Sequence, residues 1–246
     1  MKLPTGHRVV HFERIDSTNS EARRLAEAGE RGPLWVWSDE QTSGRGRHGR
    51  AWVSEPGNLY VTFLFQTAAA ASAAAQISFV AAIAVHEMAS QLLPKAAFFL
   101  KWPNDVLMGG AKFCGLLAEV VDTSPTRIAL GCGINLAHAP SGTPYPVAAL
   151  GPQFTPDSVL QKLAVSLWHW LEIWDESRGF PSIRSAWLER AAGVGKDVSV
   201  EGMAGRFEGL SADGALLMTL ADGTQRQIHA GEVRFATIEH LRSGKK

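Results

Sequence analysis

Residues 41–54 form a glycine- and arginine-rich segment of the kind that binds anions. The segment reads QTSGRGRHGRAWVS and contains no acidic residue. Its three glycines let backbone N–H groups approach a ligand closely, and Arg45, Arg47 and Arg50 carry charges that do not titrate away and can hold carboxylate or phosphate in a bidentate manner. The segment suits a ligand with two kinds of anion, for instance a carboxylate being joined to a phosphate, and Trp52, just beyond the last arginine, could stack on a flat base.

Two other interpretations of this segment stay open on composition alone. It could be a flexible solvated loop, or an arginine–glycine segment that binds RNA or DNA. It is not a Walker A loop, because no G-x-x-x-x-G-K-[ST] occurs in the chain, and a predicted strand follows it instead of the helix of a Rossmann fingerprint. The chain has 24 basic and 24 acidic residues, and this balance argues against general attraction to nucleic acid.

Four short polar segments lie near predicted strand or helix ends. The first, 17–19, reads Ser-Thr-Asn at a helix start, where Thr18 and Glu21 also have capping-box spacing. The hydroxyls and the amide of this segment could meet a ligand head group, and helix capping alone is the alternative interpretation. The second, Lys-Trp-Pro-Asn-Asp at 101–105, interrupts a strand with proline, so its side chains are expected to project at a bulge or strand end.

The other two segments flank a predicted hairpin. Lys112 is a lone cation after the Gly-Gly turn at 109–110, and a surface lysine whose stem covers apolar neighbours is the alternative interpretation. Residues 131–135, Gly-Cys-Gly-Ile-Asn, end a strand with two glycines and an amide. That composition suits close approach of backbone to a ligand.

Hydrophobic patterning supplies the elements that must position these segments. Strands are predicted at 9–12, 34–38, 59–66, 97–102, 106–108, 113–121 and 127–133, and helices from residue 18 to Gly29, from the alanine-rich stretch to Leu93, from Thr155 past Trp174, and near 183–190. From about Gly195, short alternating strands separated by Asp-Gly pairs predict a barrel-like β domain of about 45 residues. A domain of this size is marginal alone, so we expect it to pack on the first one.

Composition also bears on the compartment. Residues 68–85 carry no charge and are about long enough to span a membrane, but alanine contributes little insertion energy, and a buried helix is the better interpretation. Cys114 and Cys132 lie in apolar runs and no apolar leader is evident, which indicates buried thiols of a reduced, cytoplasmic protein. His7 and His11 are four apart but flank a strand, so they are not expected to bind metal.

Taken in order, these segments resemble the catalytic core of biotin–protein ligases. The resemblance is carried by D-S-T-N at 16–19, Q-T-S-G-R-G-R-x-G-R-x-W at 41–52, K-W-P-N-D at 101–105, K-F-C-G-L-L-x-E at 112–119, G-x-G-I-N at 131–135 and D-G-A-L-L at 213–217. It implies an α+β fold: a mixed or antiparallel sheet with flanking helices in a catalytic domain at 1–192, and a small SH3-like β-barrel at 193–246. The implied reaction activates biotin with ATP and Mg²⁺ to biotinyl-5′-AMP and transfers biotin to a lysine of a biotin carboxyl carrier protein. A monomer or homodimer is expected.

The resemblance also implies residue roles. Biotin would be bound by eight residues: Ser17, Thr18, Asn19, Gln41, Arg45, Gly46, Arg47 and Lys112. The nucleotide would be bound by Arg45, Arg47, Arg50, Trp52 and Asn135. Lys112, Arg47 and Asp105 are the catalytic candidates, with Asp105 steering or deprotonating the carrier lysine. No metal-ligating residue is implied.

Departures from the family pattern and rival activities complete these expectations. His48 stands where the best-known members have another arginine, which makes the loop less basic. About fifteen residues precede the first motif, too few for the DNA-binding domain that some members carry, so no repressor function is expected. A lipoate–protein ligase or lipoyl transferase would share the fold, but G-R-G-R and K-W-P-N-D favour biotin.

Overall fold

A seven-stranded mixed sheet carries most of the predicted site segments. The computed structural model describes residues 1–235. The strands of this sheet are β1 Arg8–Ile15, β2 Leu34–Gln41, β3 Leu59–Thr67, β4 Phe98–Lys101, β5 Asp105–Met108, β6 Ala111–Thr123 and β7 Thr126–Ile134. Their spatial order is β1-β2-β3-β7-β6-β5-β4, in which only β1 and β2 run parallel. The predicted mixed sheet is thereby confirmed.

Four helices pack on this sheet: α1 Thr18–Glu27, α2 Ala74–Leu92, α3 Pro156–Trp174 and α4 Phe180–Arg190. Helix α3 begins as predicted, because the Thr155 hydroxyl accepts from the Ser158 N–H and proline occupies the first turn. The capping box predicted for α1 is wrong. Ser17 is the N-cap residue, and the Thr18 hydroxyl turns towards Gln41 instead.

Helix α2 resolves the question raised by the uncharged alanine-rich stretch. Among residues 1–235 one helical segment, Ala71–Leu92, is long and apolar enough to cross a membrane. Eleven of the α2 residues are buried, from Ala74 through Ala89, in the apolar core shared with the sheet, α3 and α4. Its apolar surface is therefore already covered by protein.

The C-terminal part forms a second, antiparallel sheet. Its strands, β8 Asp197–Val200, β9 Met203–Leu210, β10 Leu216–Leu220, β11 Gln225–Ile228 and β12 Val233–Phe235, lie in the order β11-β10-β9-β8-β12. As expected, this sheet packs on the first domain: Trp102 Nε1 donates to the Gly214 carbonyl at 3.1 Å and Arg184 Nε to that of Leu210 at 2.8 Å. The predicted boundary at residue 192 stays a prediction, and residues 236–246 of the predicted domain lie outside the described residues.

Candidate active site

A cleft of about 360 Å³ opens on the face of the first sheet between the arginine–glycine loop, residues 41–54, and strands β6 and β7. Ten of the twelve predicted site residues line it: Ser17, Thr18, Asn19, Gln41, Arg45, Gly46, Arg47, Arg50, Trp52 and Lys112. Asp105 lines an adjoining cavity that shares Arg50 and Lys112 with the cleft. Asn135 lines neither cavity.

One end of the cleft is a buried polar network at the start of α1. Gln41 Oε1 accepts from the Thr18 N–H at 2.8 Å, and Gln41 Nε2 donates to Ser54 Oγ at 2.8 Å. The Thr62 hydroxyl lies 2.9 Å from that of Thr18. The Ser17 hydroxyl, by contrast, has no hydrogen-bond partner among the described residues. This end presents a few fixed polar atoms on largely buried residues, which suits a compact polar head group.

The arginine–glycine loop is attached to the body of the protein through its three arginines. Arg45 Nη2 lies 3.1 Å from Glu119 Oε2, and Arg50 Nη1 lies 2.9 Å from Glu232 Oε2. Arg47 Nη1 donates to the Asn104 side chain and to the Gly231 carbonyl, both at 3.3 Å. Two of these partners come from the C-terminal part of the chain, so the small sheet helps to hold the loop.

Charge is concentrated where the loop meets the sheet. Burial lowers the pKa of Arg47 from 12.5, so its cation lies in a place where an anionic partner gains more than in water. Burial also acts to raise the pKa of Glu232, but the charges of Lys101 and Arg50 outweigh it and hold that pKa below its usual value. Glu232 is therefore an anion that bridges two cations.

Trp52 covers the floor of the cleft. A Cβ at Gly133 would lie 2.5 Å from the Trp52 ring and a Cβ at Gly115 would lie 2.7 Å from it, so both positions need glycine. A Cβ at Gly131 would lie 2.2 Å from Asn19 Oδ1. The glycines of the 131–135 segment thus admit side chains of the protein itself and also line the cleft, so the close approach of their backbone to a ligand stays a prediction.

Lys112 is held in the middle of the cleft wall. Its Nζ lies 2.7 Å from Asp105 Oδ1, with 15% and 11% of the two side chains exposed, although Oδ1 has no described partner at a hydrogen-bonding angle. The ammonium also lies 5.2 Å from the Trp52 ring centre and 5.5 Å from that of Tyr145. The lysine is a fixed cation, and the alternative of a snorkelling surface lysine is wrong.

Asn135 and several unpredicted residues act from behind the cleft surface. The Asn135 amide donates to the Ala148 carbonyl at 3.0 Å, which holds the segment that carries Tyr145 against the hairpin. Sequence reasoning missed Thr62 and gave no role to Glu119. Both had a visible signal: Thr62 is a polar residue within an apolar strand, and Glu119 is an acid within a predicted strand. Glu232 offered no such signal.

Comparison with known proteins places these features in a family. The sequence profile of the Biotin/lipoate A/B protein ligase family matches residues 11–135, and that of the Biotin protein ligase C terminal domain matches residues 197–235. The chain is 41% identical over 238 residues to a biotin–[acetyl-CoA-carboxylase] ligase of Paracoccus denitrificans, covering 90% of this chain and 98% of that protein. It is 26% identical to the bifunctional ligase/repressor BirA of Bacillus subtilis, covering 90% and 72%. The biotin protein ligase from Aquifex aeolicus, solved in complex with biotin and ATP, superimposes with a TM-score of 0.78 at 26% identity, covering 92% and 97%.

Proposed function

The chain belongs to the biotin/lipoate A/B protein ligase family, and we propose that its cleft activates biotin with ATP and passes it to a lysine of a carrier protein. It is an ATP-dependent biotin–protein ligase. The observation that carries the assignment of the site is the convergence of ten predicted residues, from three separate segments, on one cleft.

The reaction needs a site that stabilises anions and excludes water. A carboxylate is a poor acylating agent, so the biotin carboxylate attacks the α-phosphate of ATP, pyrophosphate leaves, and a mixed anhydride with AMP forms. The carrier lysine, as a neutral amine, then attacks the acyl carbon; an amide forms, AMP leaves and the amine loses a proton. Fixed cations stabilise the charge that develops in the first step, and a closed loop keeps water from hydrolysing the anhydride.

The biotin head group is assigned to the polar end of the cleft. The free Ser17 hydroxyl and the Thr18 hydroxyl face it, while Asn19 and Gln41 are engaged by protein partners and hold the site in shape. Leaving a buried polar atom of the ligand without a partner costs about 1–3 kcal/mol. The fixed polar atoms therefore favour a head group with several donors and acceptors.

The carboxylate and phosphates are assigned to the cationic side of the cleft. Lys112 lies where the two reacting groups meet, with Arg45, Gly46 and Arg47 above them in the loop. Arg50 and Trp52 are assigned to the nucleotide side, and Asn135 supports that side through the Ala148 carbonyl.

Mg²⁺ is proposed to enter with ATP. This ion usually keeps several waters and is held largely by the substrate phosphates, and no metal ligand is assigned to the described residues. When bound, it would shield the phosphates from the attacking carboxylate. Asp105 is the candidate for steering or deprotonating the carrier lysine, since it lines the cavity that adjoins the cleft beside Lys112.

The proposed acceptor is a biotin carboxyl carrier protein, and the proposed compartment is the cytoplasm, with the enzyme a monomer or homodimer. We expect no sequence-specific DNA binding by the described residues, because the loop arginines Arg45 and Arg50 are paired with carboxylates and the formal net charge is zero. Retention of an oligonucleotide at physiological salt by the purified protein would contradict this expectation. Light scattering of the purified protein decides between monomer and homodimer.

Transfer of labelled biotin to an acceptor carrier domain tests the proposal. We expect labelling that requires ATP, and biotinyl-5′-AMP in the reaction without carrier, detected by mass spectrometry. Arg47→Ala should abolish adenylate formation in a folded protein, whereas Arg206→Ala, which removes an exposed arginine of β9, should leave it unchanged. Formation of lipoyl-AMP in place of biotinyl-AMP would assign the site to lipoate instead.

A further inference from the structure

Glu119 connects the two ends of the cleft. It lies on β6, and its Oε2 accepts from Asn19 Nδ2 at 2.7 Å and from Arg45 Nη2 at 3.1 Å. The side chain is 23% exposed. One carboxylate therefore holds both a residue of the head-group end and an arginine of the loop.

The carboxylate fixes which way the Asn19 amide points. A carboxylate accepts hydrogen bonds and does not donate them, so Asn19 must turn its Nδ2 towards Glu119, where the Leu117 carbonyl accepts from it as well, at 3.3 Å. The Asn19 Oδ1 then faces the Thr62 hydroxyl at 2.6 Å. Asn19 is 4% exposed and packs on the bare backbone of Gly131, so it has little room to reorient.

This orientation propagates through two hydroxyl groups. Asn19 Oδ1 can only accept, so the single Thr62 hydrogen is donated to it, and Thr62 cannot also donate to Thr18. The Thr18 hydrogen then has two acceptors within the protein, Thr62 Oγ1 at 2.9 Å and Gln41 Oε1 at 3.1 Å, and donation to either one turns it inward. In both arrangements Thr18 presents only acceptor lone pairs to the cleft.

We propose that Glu119 is a positioning residue that sets this hydrogen-bond direction, so that Thr18 accepts from an N–H donor of the substrate head group. The inference rests on the proposed function, because the ureido ring of biotin carries N–H groups. With the Asn19 amide reversed, Thr62 would donate to Thr18 and occupy a lone pair that the substrate N–H needs. The charge of Glu119 thus selects for a head group that donates at this point.

The test is a cycle of Glu119→Gln and Thr62→Val, read as the KM for biotin in biotin-dependent pyrophosphate release. Glu119→Gln removes the charge that orients the Asn19 amide and leaves the longer bond to the Leu117 carbonyl, at 3.3 Å, to hold it. We expect the KM to rise about fivefold to tenfold, the range that one neutral hydrogen bond contributes. Thr62→Val keeps the shape of the buried side chain but removes the hydroxyl that connects Asn19 to Thr18 (the hydrogen-bond relay). In the Thr62→Val protein, Glu119→Gln should change the KM by less than about twofold. Without the Thr62 hydroxyl, the orientation of the Asn19 amide no longer affects Thr18, so the two substitutions are no longer coupled.

Several controls make the outcome decisive. Thr62→Ser keeps the hydroxyl and should restore the full effect of Glu119→Gln, while Glu208→Gln, an exposed acid of β9, should have no effect. Thermal melting shows that each variant is folded. An equal rise of the KM with and without the Thr62→Val substitution would overturn the relay and place the effect of Glu119 on Arg45. Absence of biotin-dependent pyrophosphate release from the unsubstituted protein would instead remove the proposed function.

Discussion

Replacing Lys112 by methionine should separate its contribution to stability from its contribution to the reaction. The substitution keeps an unbranched chain against Trp52 and removes the charge that faces Asp105 at 2.7 Å. The Asp105 carboxylate, 11% exposed, then loses its ion-pair partner and keeps only the weaker attraction of Arg47. We therefore expect both the melting temperature and the rate of adenylate formation to fall.

The size of the stability loss follows from the burial of the pair. Breaking a buried ion pair by removing one partner costs about 3–5 kcal/mol, and the residual exposure of both side chains places this pair at the lower end, at about 3 kcal/mol. A chain of this length shifts its melting temperature by roughly 2–4 °C per kcal/mol. Lys112→Met should therefore melt about 6–12 °C lower than the unsubstituted protein.

The double variant Lys112→Met with Asp105→Asn removes both charges and supplies the control. Replacing both members of a buried pair is often close to neutral, so we expect its melting temperature to return to within about 4 °C of the original, or about 1 kcal/mol. Adenylate formation should stay at least about 100-fold reduced, the usual effect of removing a fixed group that stabilises developing charge. Circular dichroism melting and pyrophosphate release measure the two quantities. Near-normal pyrophosphate release by either variant would refute the role of Lys112, and a single variant as stable as the original would refute the electrostatic reasoning.

Three further predictions concern the loop and the core. Gly133→Ala should displace the Trp52 ring, because the new Cβ would lie 2.5 Å from it. We expect a rise of about tenfold or more in the KM for ATP together with a change in tryptophan fluorescence, and unchanged fluorescence would contradict the contact between Gly133 and Trp52. Glu232→Gln should loosen the loop's attachment to the C-terminal sheet and speed hydrolysis of the adenylate in the absence of carrier, seen as biotin-stimulated AMP release; an unchanged rate would show that this contact does not hold the loop. Burial raises the pKa of Cys114 and raises that of Cys132 to about 12, so iodoacetamide at pH 8 should label neither thiol in the native protein while labelling both after unfolding, as mass spectrometry can show.

The site could be predicted from sequence where its residues lie close together along the chain or alternate along a strand. In an antiparallel pair, side chains two residues apart share a face, and the register of Gly115 with Gly133 and of Leu117 with Gly131 places the motif positions of β6 and β7 on the cleft side. Glu119 follows by the same alternation. That pattern was visible in the sequence even though no role was assigned to the acid.

What could not be predicted depends on contacts between distant parts of the chain. The ion pair between Arg50 and Glu232 joins residues 182 positions apart, and nothing in the local composition of either segment indicates it. Asn135 was expected at the nucleotide, but the strand ends at Ile134 and the amide turns to the Ala148 carbonyl. The direction in which a side chain points at a strand end is set by the packing of the following loop, and the periodicity of the sequence does not describe that packing.

The partners of the loop arginines indicate how the loop can hold a product and still release it. Arg45 and Arg50 are 41% and 51% exposed and each is paired with a single carboxylate, and such exposed pairs contribute only about 0.2–1 kcal/mol. A phosphate or an acyl-phosphate oxygen in the cleft offers the same guanidinium groups charge-assisted hydrogen bonds in a more buried place, which are stronger. Under the proposed function we therefore expect the adenylate to displace Glu119 and Glu232 from the two arginines. Because the carboxylates remain beside the arginines, we expect both ion pairs to form again after transfer to the carrier, so that AMP leaves and the loop is again attached to both sheets.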